Sequence, residues 1–389
     1  MQRNILLLYL IKLSKWFSLV MPVIVLFYQD YGLGLQDIFM LKSIFSVVAV
    51  GLEIPSGYLA DVWGRKKCLV LGSILFFSGY LCYSLTGTFV AFVFAEILLG
   101  AGQTFVNGAD SALLYDTTAY YKKERLYLKY EGRMTMVGNF AEAAAGILGG
   151  LLAVYSLRFP FYGQALVAFT GIPASFTLKE IVSSDRIKSN YKQITGIIRY
   201  ALFENKKLCY NILFSGVIGA ATLTMAWFVQ PVLIYIDFPT GYFGVIWTFL
   251  NLTVGISALY SERIDKYLGI NKTYLIILIF IAGGYIALAF NLSYWGIIVL
   301  FILYVFRGFA TPILKGYINQ IATSNLRATV LSIRNFVIRL MFAVIAPFIG
   351  WLNDMYSLKM ALLISSVIIF LPGLVLLILQ SRQKQVADD

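Results

Sequence analysis

A small set of ionisable side chains sits inside long apolar runs of this sequence: Lys15, Lys42, Glu53, Glu96, Asp110, Glu142, Arg307, Lys315, Arg334 and Arg339. An ionisable group in hydrocarbon costs about 2.5–3.5 kcal/mol on insertion scales, so each is a candidate functional group. Two kinds of chemistry are open to them. Carboxyls such as Glu142 and Glu96 can load and release a proton, the alternative being a static ion pair with a buried arginine. The cations Lys15, Arg307 and Arg339 suit an anionic solute, because a guanidinium keeps its charge and grips a carboxylate or phosphate in two-pronged fashion. Snorkelling or pairing between helices is the competing account of these cations.

Other chemistry is excluded by what the sequence lacks. With His 0, histidine-based acid–base catalysis and most metal sites disappear. Cys68, Cys82 and Cys209 are scattered, with no metal-ligand spacing and no disulfide framework. No phosphate-binding G-x-x-x-x-G-K-[ST] run occurs, so energy for work must come from a gradient rather than nucleotide hydrolysis. These features predict no enzyme activity, no metal and no cofactor.

The elements that position these groups are membrane spans. The chain has 389 residues, 60% hydrophobic and 13% charged, too little charge to cover a soluble surface of that size. Apolar runs of the roughly 20 residues a bilayer requires recur along its length. They predict twelve spans, near 4–29, 36–60, 68–86, 88–115, 130–153 and 160–178, then 208–236, 241–261, 273–290, 294–323, 329–352 and 360–380. The N-terminal run, with Lys12 and Lys15 in it, is too long for a cleavable signal. Lys and Arg gather in alternate loops (Arg65 to Lys67, Lys122 to Arg125, Lys179 to Lys207, Arg263 and Lys266), which predicts both termini in the cytoplasm. The net charge of +12 then reflects topology, not nucleic-acid binding.

Three regions follow: a six-helix bundle over 1–180, a cytoplasmic linker over 181–207, and a second six-helix bundle over 208–389. Within the linker, Ile194, Ile197, Ile198 and Ala201 predict an amphipathic helix across Tyr191 to Phe203. The halves echo each other, since Ala145 to Gly150 parallels Ala346 to Trp351 and the Arg65 turn has a looser counterpart in Glu262 to Lys266.

The strongest motif is Gly57-Tyr58-Leu59-Ala60-Asp61-Val62-Trp63-Gly64-Arg65-Lys66-Lys67, in the short turn after the second span. It resembles the G-x-L-A-D-x-x-G-R-[RK] signature of the major facilitator superfamily. The resemblance implies an all-α fold of about twelve transmembrane helices, two six-helix bundles with pseudo-two-fold symmetry, and a central cavity lined by spans 1, 4, 7 and 10. On that fold Lys15, Glu96, Asp110 and Arg307 are well placed, and Gly57, Asp61, Gly64 and Arg65 form a gate, with Asp61 against a neighbouring helix N-terminus and both glycines allowing close packing. Two departures matter. In span 5, Ala141-x-x-x-Ala145-Gly146-x-x-Gly149-Gly150 resembles the exporter motif without its proline, and Glu96 stands where many members have arginine.

These features predict a secondary active transporter of a small organic solute, coupled to protons and working by alternating access. Its substrate-binding residues are Lys15, Arg307, Arg339, Asp110 and Gln103; Glu142 and Glu96 couple protons. Tyr115, Asn107, Trp227, Gln230 and Asn319 are further pocket candidates, and Asp116 reads as an interfacial residue. An organic anion or siderophore-like chelate is favoured, with proton-driven efflux of amphipathic drugs as the alternative. The expected setting is the plasma (inner) membrane, as a monomer whose partners are its substrate, protons and the lipid bilayer. A membrane-embedded enzyme would require a histidine or metal cluster, and a receptor a soluble output domain.

Overall fold

The computed structural model describes residues 1–181, 191–322 and 326–388, and every regular element among them is helical. In chain order these are α1 (Gln2–Trp16), α2 (Ile24–Asp30), α3 (Leu35–Val62), α4 (Arg65–Leu85), α5 (Phe89–Val106), α6 (Ala109–Tyr120), α7 (Tyr127–Tyr155) and α8 (Phe159–Phe176). There follow α9 (Tyr191–Arg199), α10 (Lys206–Tyr235), α11 (Phe243–Leu259), α12 (Ser261–Leu268), α13 (Ile270–Phe290), α14 (Gly296–Ile321), α15 (Arg327–Met355) and α16 (Leu358–Asp388). Ten helices among the described residues are long and apolar enough to cross a bilayer. Helix is the expected form there, because it satisfies its own backbone groups where water cannot.

By internal contacts the chain divides into two units. Unit 1 holds Met1–Leu33, Ile44–Ser189 and Pro239–Thr248; unit 2 holds Gly34–Ser43, Asn190–Phe238 and Phe249–Asp389. The core of unit 1 includes Leu8, Ile11, Leu69, Leu113 and Met134. In unit 2, Ile212, Ile318, Val330 and Ile333 form a cluster against which Ile197 and Ile198 of α9 pack. The amphipathic linker stretch is thus helical, and it continues into one wider turn over Tyr200–Glu204. Ser183 to Arg186 lie outside the described residues.

The first predicted span, continuous over 4–29 by hydropathy, is broken between Trp16 and Ile24. Pro22 lies in the gap and cannot donate to a helical ladder. Gln164 of α8 replaces a lost partner, its Oε1 accepting the Leu19 amide at 2.7 Å. Gly149 of α7 lies so close that a Cβ there would collide with the Leu19 carbonyl. The fourth predicted span breaks too, at Gly108, whose φ of +81° is disfavoured for other residues.

The small residues of α7 serve two partners within unit 1. Gly138 and Gly149 face Trp16 and Leu19, whereas Gly146 and Gly150 face Gly244 at the start of α11.

Candidate functional site

In unit 1 the broken fourth span brings a polar cluster against α1. Lys12 pairs with Asp110 at 3.4 Å, and both side chains are largely buried. One turn along α1, the Lys15 ammonium donates to Asn107 Oδ1. Asp110 also accepts the Ser111 amide at 2.8 Å, and the Ser111 hydroxyl donates to Glu131 Oε1 at 2.8 Å. The other Glu131 oxygen is buried with no hydrogen-bond partner among the described residues. Gly108 makes this arrangement possible, because the bend ends α5 at Val106 and restarts the chain as α6 with Asp110 in its first turn.

The cluster unites three sequence-predicted residues, Lys15, Asp110 and Asn107, and adds three that hydropathy missed. Lys12 counted only as a charge against a signal peptide, Glu131 was not singled out at all, and Ser111 carries no charge to notice. Because Lys12 neutralises Asp110, the cluster offers an ion pair, an ammonium on an amide oxygen and one spare carboxylate oxygen. Gln103 is half-buried on α5, one helical turn before Asn107.

Glu96 belongs to a different environment. It is 1% exposed, and the hydroxyls of Tyr83 and Tyr28 donate to its Oε1 at 2.5 and 3.0 Å. Those two hydroxyl oxygens lie 2.6 Å apart, and Phe92 stacks on Tyr83. Glu96 therefore points into an aromatic cage formed with α2 and α4. Glu142 is half-buried on α7.

The motif turn is built around Gly64, with φ of +108°. The Arg65 guanidinium pairs with Asp116 and donates to the Ala112 carbonyl, which ties the start of α4 to α6. Asp116 is thereby corrected from an interfacial residue to a buried ion-pair partner, 5% exposed. The Arg65 and Lys66 amides donate to the Glu180 carboxylate at 3.0 and 2.8 Å, as an anion at a helix N-terminus should accept them. Glu180 thus occupies the kind of position expected of Asp61, whose side chain lies outside the described residues. The packing reason given for Gly57 also needs correction: it sits inside α3 with open space where a Cβ would be.

Unit 2 presents cations. The Arg307 guanidinium lies 5.2 Å from the Tyr304 ring, and the Lys42 ammonium 4.9 Å from the Trp227 ring. Arg339 is half-buried on α15 and Lys315 is exposed on α14. Arg334 is buried, its Nε donating to Ser215 Oγ. On α12, Asp265 accepts from the Tyr317 and Thr273 hydroxyls, and in the turn before α13 Gly269 repeats the left-handed backbone of Gly64. The sequence echo between the two turns therefore has a local conformational counterpart.

Comparison with known proteins places this geometry. An MFS-type transporter of Methanocaldococcus jannaschii is 23% identical over 202 residues, 50% of each chain. Multidrug resistance protein 2 of Bacillus subtilis is 27% identical over 43% of this chain and 41% of its own, and quinolone resistance protein NorA of Staphylococcus aureus 26% over 37% and 36%. The chain thus spans half or less of the length of these curated relatives. Among solved structures, a nucleoside transporter, NupG, superposes with TM-score 0.81 at 15% identity, covering 98% of this chain and 99% of its own. A POT family peptide transporter does so with TM-score 0.77 at 12% identity, covering 98% and 97%. At those identities the likeness establishes the fold. The model of the Major Facilitator Superfamily matches residues 13–346, well over half of the sequence, and the chain belongs to that family of membrane transporters.

Proposed function

We propose that this protein is a secondary active transporter that couples movement of a small organic solute, preferably an anion, to protons by alternating access. The observation that carries the reading is the distribution of charge within the spans. Carboxylates at Glu53, Glu96, Asp110 and Glu142 belong to unit 1 together with Lys12 and Lys15, whereas the other in-span cations, Lys42, Arg307, Lys315, Arg334 and Arg339, belong to unit 2. Helices α10, α11, α13 and α14 contain no Asp or Glu at all. A basic lining selects for carboxylate or phosphate, and buried carboxyls are the groups able to carry protons in a chain without histidine.

In this reading Lys15, Arg307, Arg339, Asp110 and Gln103 contact substrate. Glu142, with Glu96 as the second candidate, carries the proton. Gly57, Asp61, Gly64 and Arg65 govern opening. The ten apolar helices are joined by the broken first span (α1 with α2) and by α8 to make twelve. Loop charge favours both termini in the cytoplasm, in the inner membrane, and the protein works as a monomer.

Proton-driven efflux of amphipathic drugs is the second reading, favoured by the names of the B. subtilis and S. aureus relatives. One experiment addresses both. The purified protein is reconstituted in liposomes with an internal pH-sensitive dye and challenged with anionic metabolites, chelates and cationic drugs. Proton movement evoked by an anion and lost in Glu142→Gln supports the first reading, whereas movement evoked only by cationic drugs selects the second. Proton silence with every solute refutes proton coupling for that panel.

A further inference from the structure

We propose that Arg334, with Ser215 and Lys315, forms an anion subsite in unit 2 that takes a carboxylate or phosphate group. Arg334 is 4% exposed on α15. Its Nε donates to Ser215 Oγ and its Nη1 to Asn335 Oδ1 at 3.3 Å. Both acceptors are neutral, and among the described residues no carboxylate lies within ion-pair distance of the guanidinium. A buried cation answered only by neutral oxygens lacks the counter-charge that makes its burial tolerable.

The surroundings sharpen the demand. Lys315, on α14, lies within the field of Arg334 and adds like-charge repulsion. Helices α10 and α14 contribute no acid to relieve it. An incoming oxyanion would relieve both charges. Nη2 meets no protein oxygen among the described residues and, with the second Nη1 hydrogen, makes the fork that fits a carboxylate or phosphate edge. Ser215 is fully buried and holds the guanidinium by Nε, so the Nη edge is the part left for a ligand.

Position points to the source of the anion. Arg334 lies seven residues from the start of α15, and Lys315 six before the end of α14. At 1.5 Å per residue each is only about 10 Å inside its span. Lys206 and Lys207 at the start of α10 and Arg327 at the start of α15 add positive charge at the corresponding helix ends. A soluble anion entering from that side and the phosphate of an anionic lipid share the required chemistry. The inference deepens the anion-transport reading and rests on it only for the identity of a soluble ligand.

The test is binding without transport. Thermal unfolding of the full chain in neutral detergent is followed with added citrate or inorganic phosphate, and separately in nanodiscs of phosphatidylcholine with or without phosphatidylglycerol. A ligand that prefers the folded state raises Tm with concentration. The anion concentration giving half the shift is expected to rise about tenfold or more in Arg334→Gln and by a smaller factor in Lys315→Gln, with Arg334→Lys intermediate. A shift confined to phosphatidylglycerol and weakened by the same variants also supports the site and assigns it to a lipid headgroup. An unchanged response in Arg334→Gln and Lys315→Gln, or no response in the wild type, overturns the proposal. If Arg334→Gln does not fold, the exposed Lys315 and the Ser215→Ala variant decide it by the same criterion. Anion binding through Arg334 in a protein that moves no anion would refute the transport reading alone.

Discussion

Glu180 lies across the N-terminus that Gly64 begins. Its two carboxylate oxygens accept the Arg65 and Lys66 amides, and a Cβ on Gly64 would press against that carboxylate. Asp354 repeats the arrangement in unit 2, accepting the Leu35 and Gln36 amides at 2.9 and 2.8 Å beside Gly34. In each case a carboxylate distant in sequence answers the unpaired amides of a membrane helix.

Gly64→Ala should therefore destabilise the protein, combining a left-handed backbone with a crowded Glu180, by roughly 1–3 kcal/mol. Gly57→Ala, in an open helical position, should be neutral or mildly stabilising by up to about 1 kcal/mol. Thermal unfolding of the two variants in one detergent checks the contrast. Equal losses would remove the distinction between the two glycines of the motif.

Removing one partner of the Arg65–Asp116 pair should cost several kcal/mol, about 3–5 if burial is maintained, because the other charge stays behind. The double variant Arg65→Met, Asp116→Leu should lose less than the sum of the single changes. A double-mutant cycle on unfolding free energy measures this coupling. Strict additivity would mean the two side chains act independently.

At the break in the first span, Gln164→Leu should strand the Leu19 amide at a cost of about 1–3 kcal/mol. Gly149→Val should do worse by pushing the Leu19 carbonyl away, whereas Ile147→Val on the same helix, an exposed site, should be silent. Yield of monodisperse protein and Tm report on all three.

Glu96→Gln tests the second proton candidate. If Glu96 carries the proton, the variant loses substrate-driven acidification while still exchanging substrate for substrate. Tyr83→Phe, which removes the 2.5 Å donor, should slow rather than abolish coupling. Wild-type proton flux in Glu96→Gln would leave its tyrosine cage a structural feature.

Hydropathy made the spans readable because each must be apolar whatever its neighbours are, and the Gly64–Arg65 turn was readable because its letters encode a backbone shape. The breaks at Leu19 and Gly108 were not, since a run such as residues 17–23 stays apolar whether helical or not. The partners that stabilise the breaks, Gln164 and Gly149, lie more than a hundred residues from Leu19. Of the site, single charges such as Lys15 and Asp110 could be picked out by their cost in hydrocarbon. Their pairing through Lys12 and Asn107 depended on how α1 meets the bent fourth span, which no local pattern encodes. Asp116 was misjudged for the same reason, because its position at a span end said nothing of Arg65.

The Asp354 contact also bears on how the protein is made. The Leu35 and Gln36 amides wait for a carboxylate 319 and 318 residues further along the chain. At roughly 5–20 residues per second, that partner emerges some tens of seconds later. Until then the head of the second span must find water, lipid headgroups or a chaperone for its amides, so its final seat in the membrane is set close to the end of synthesis.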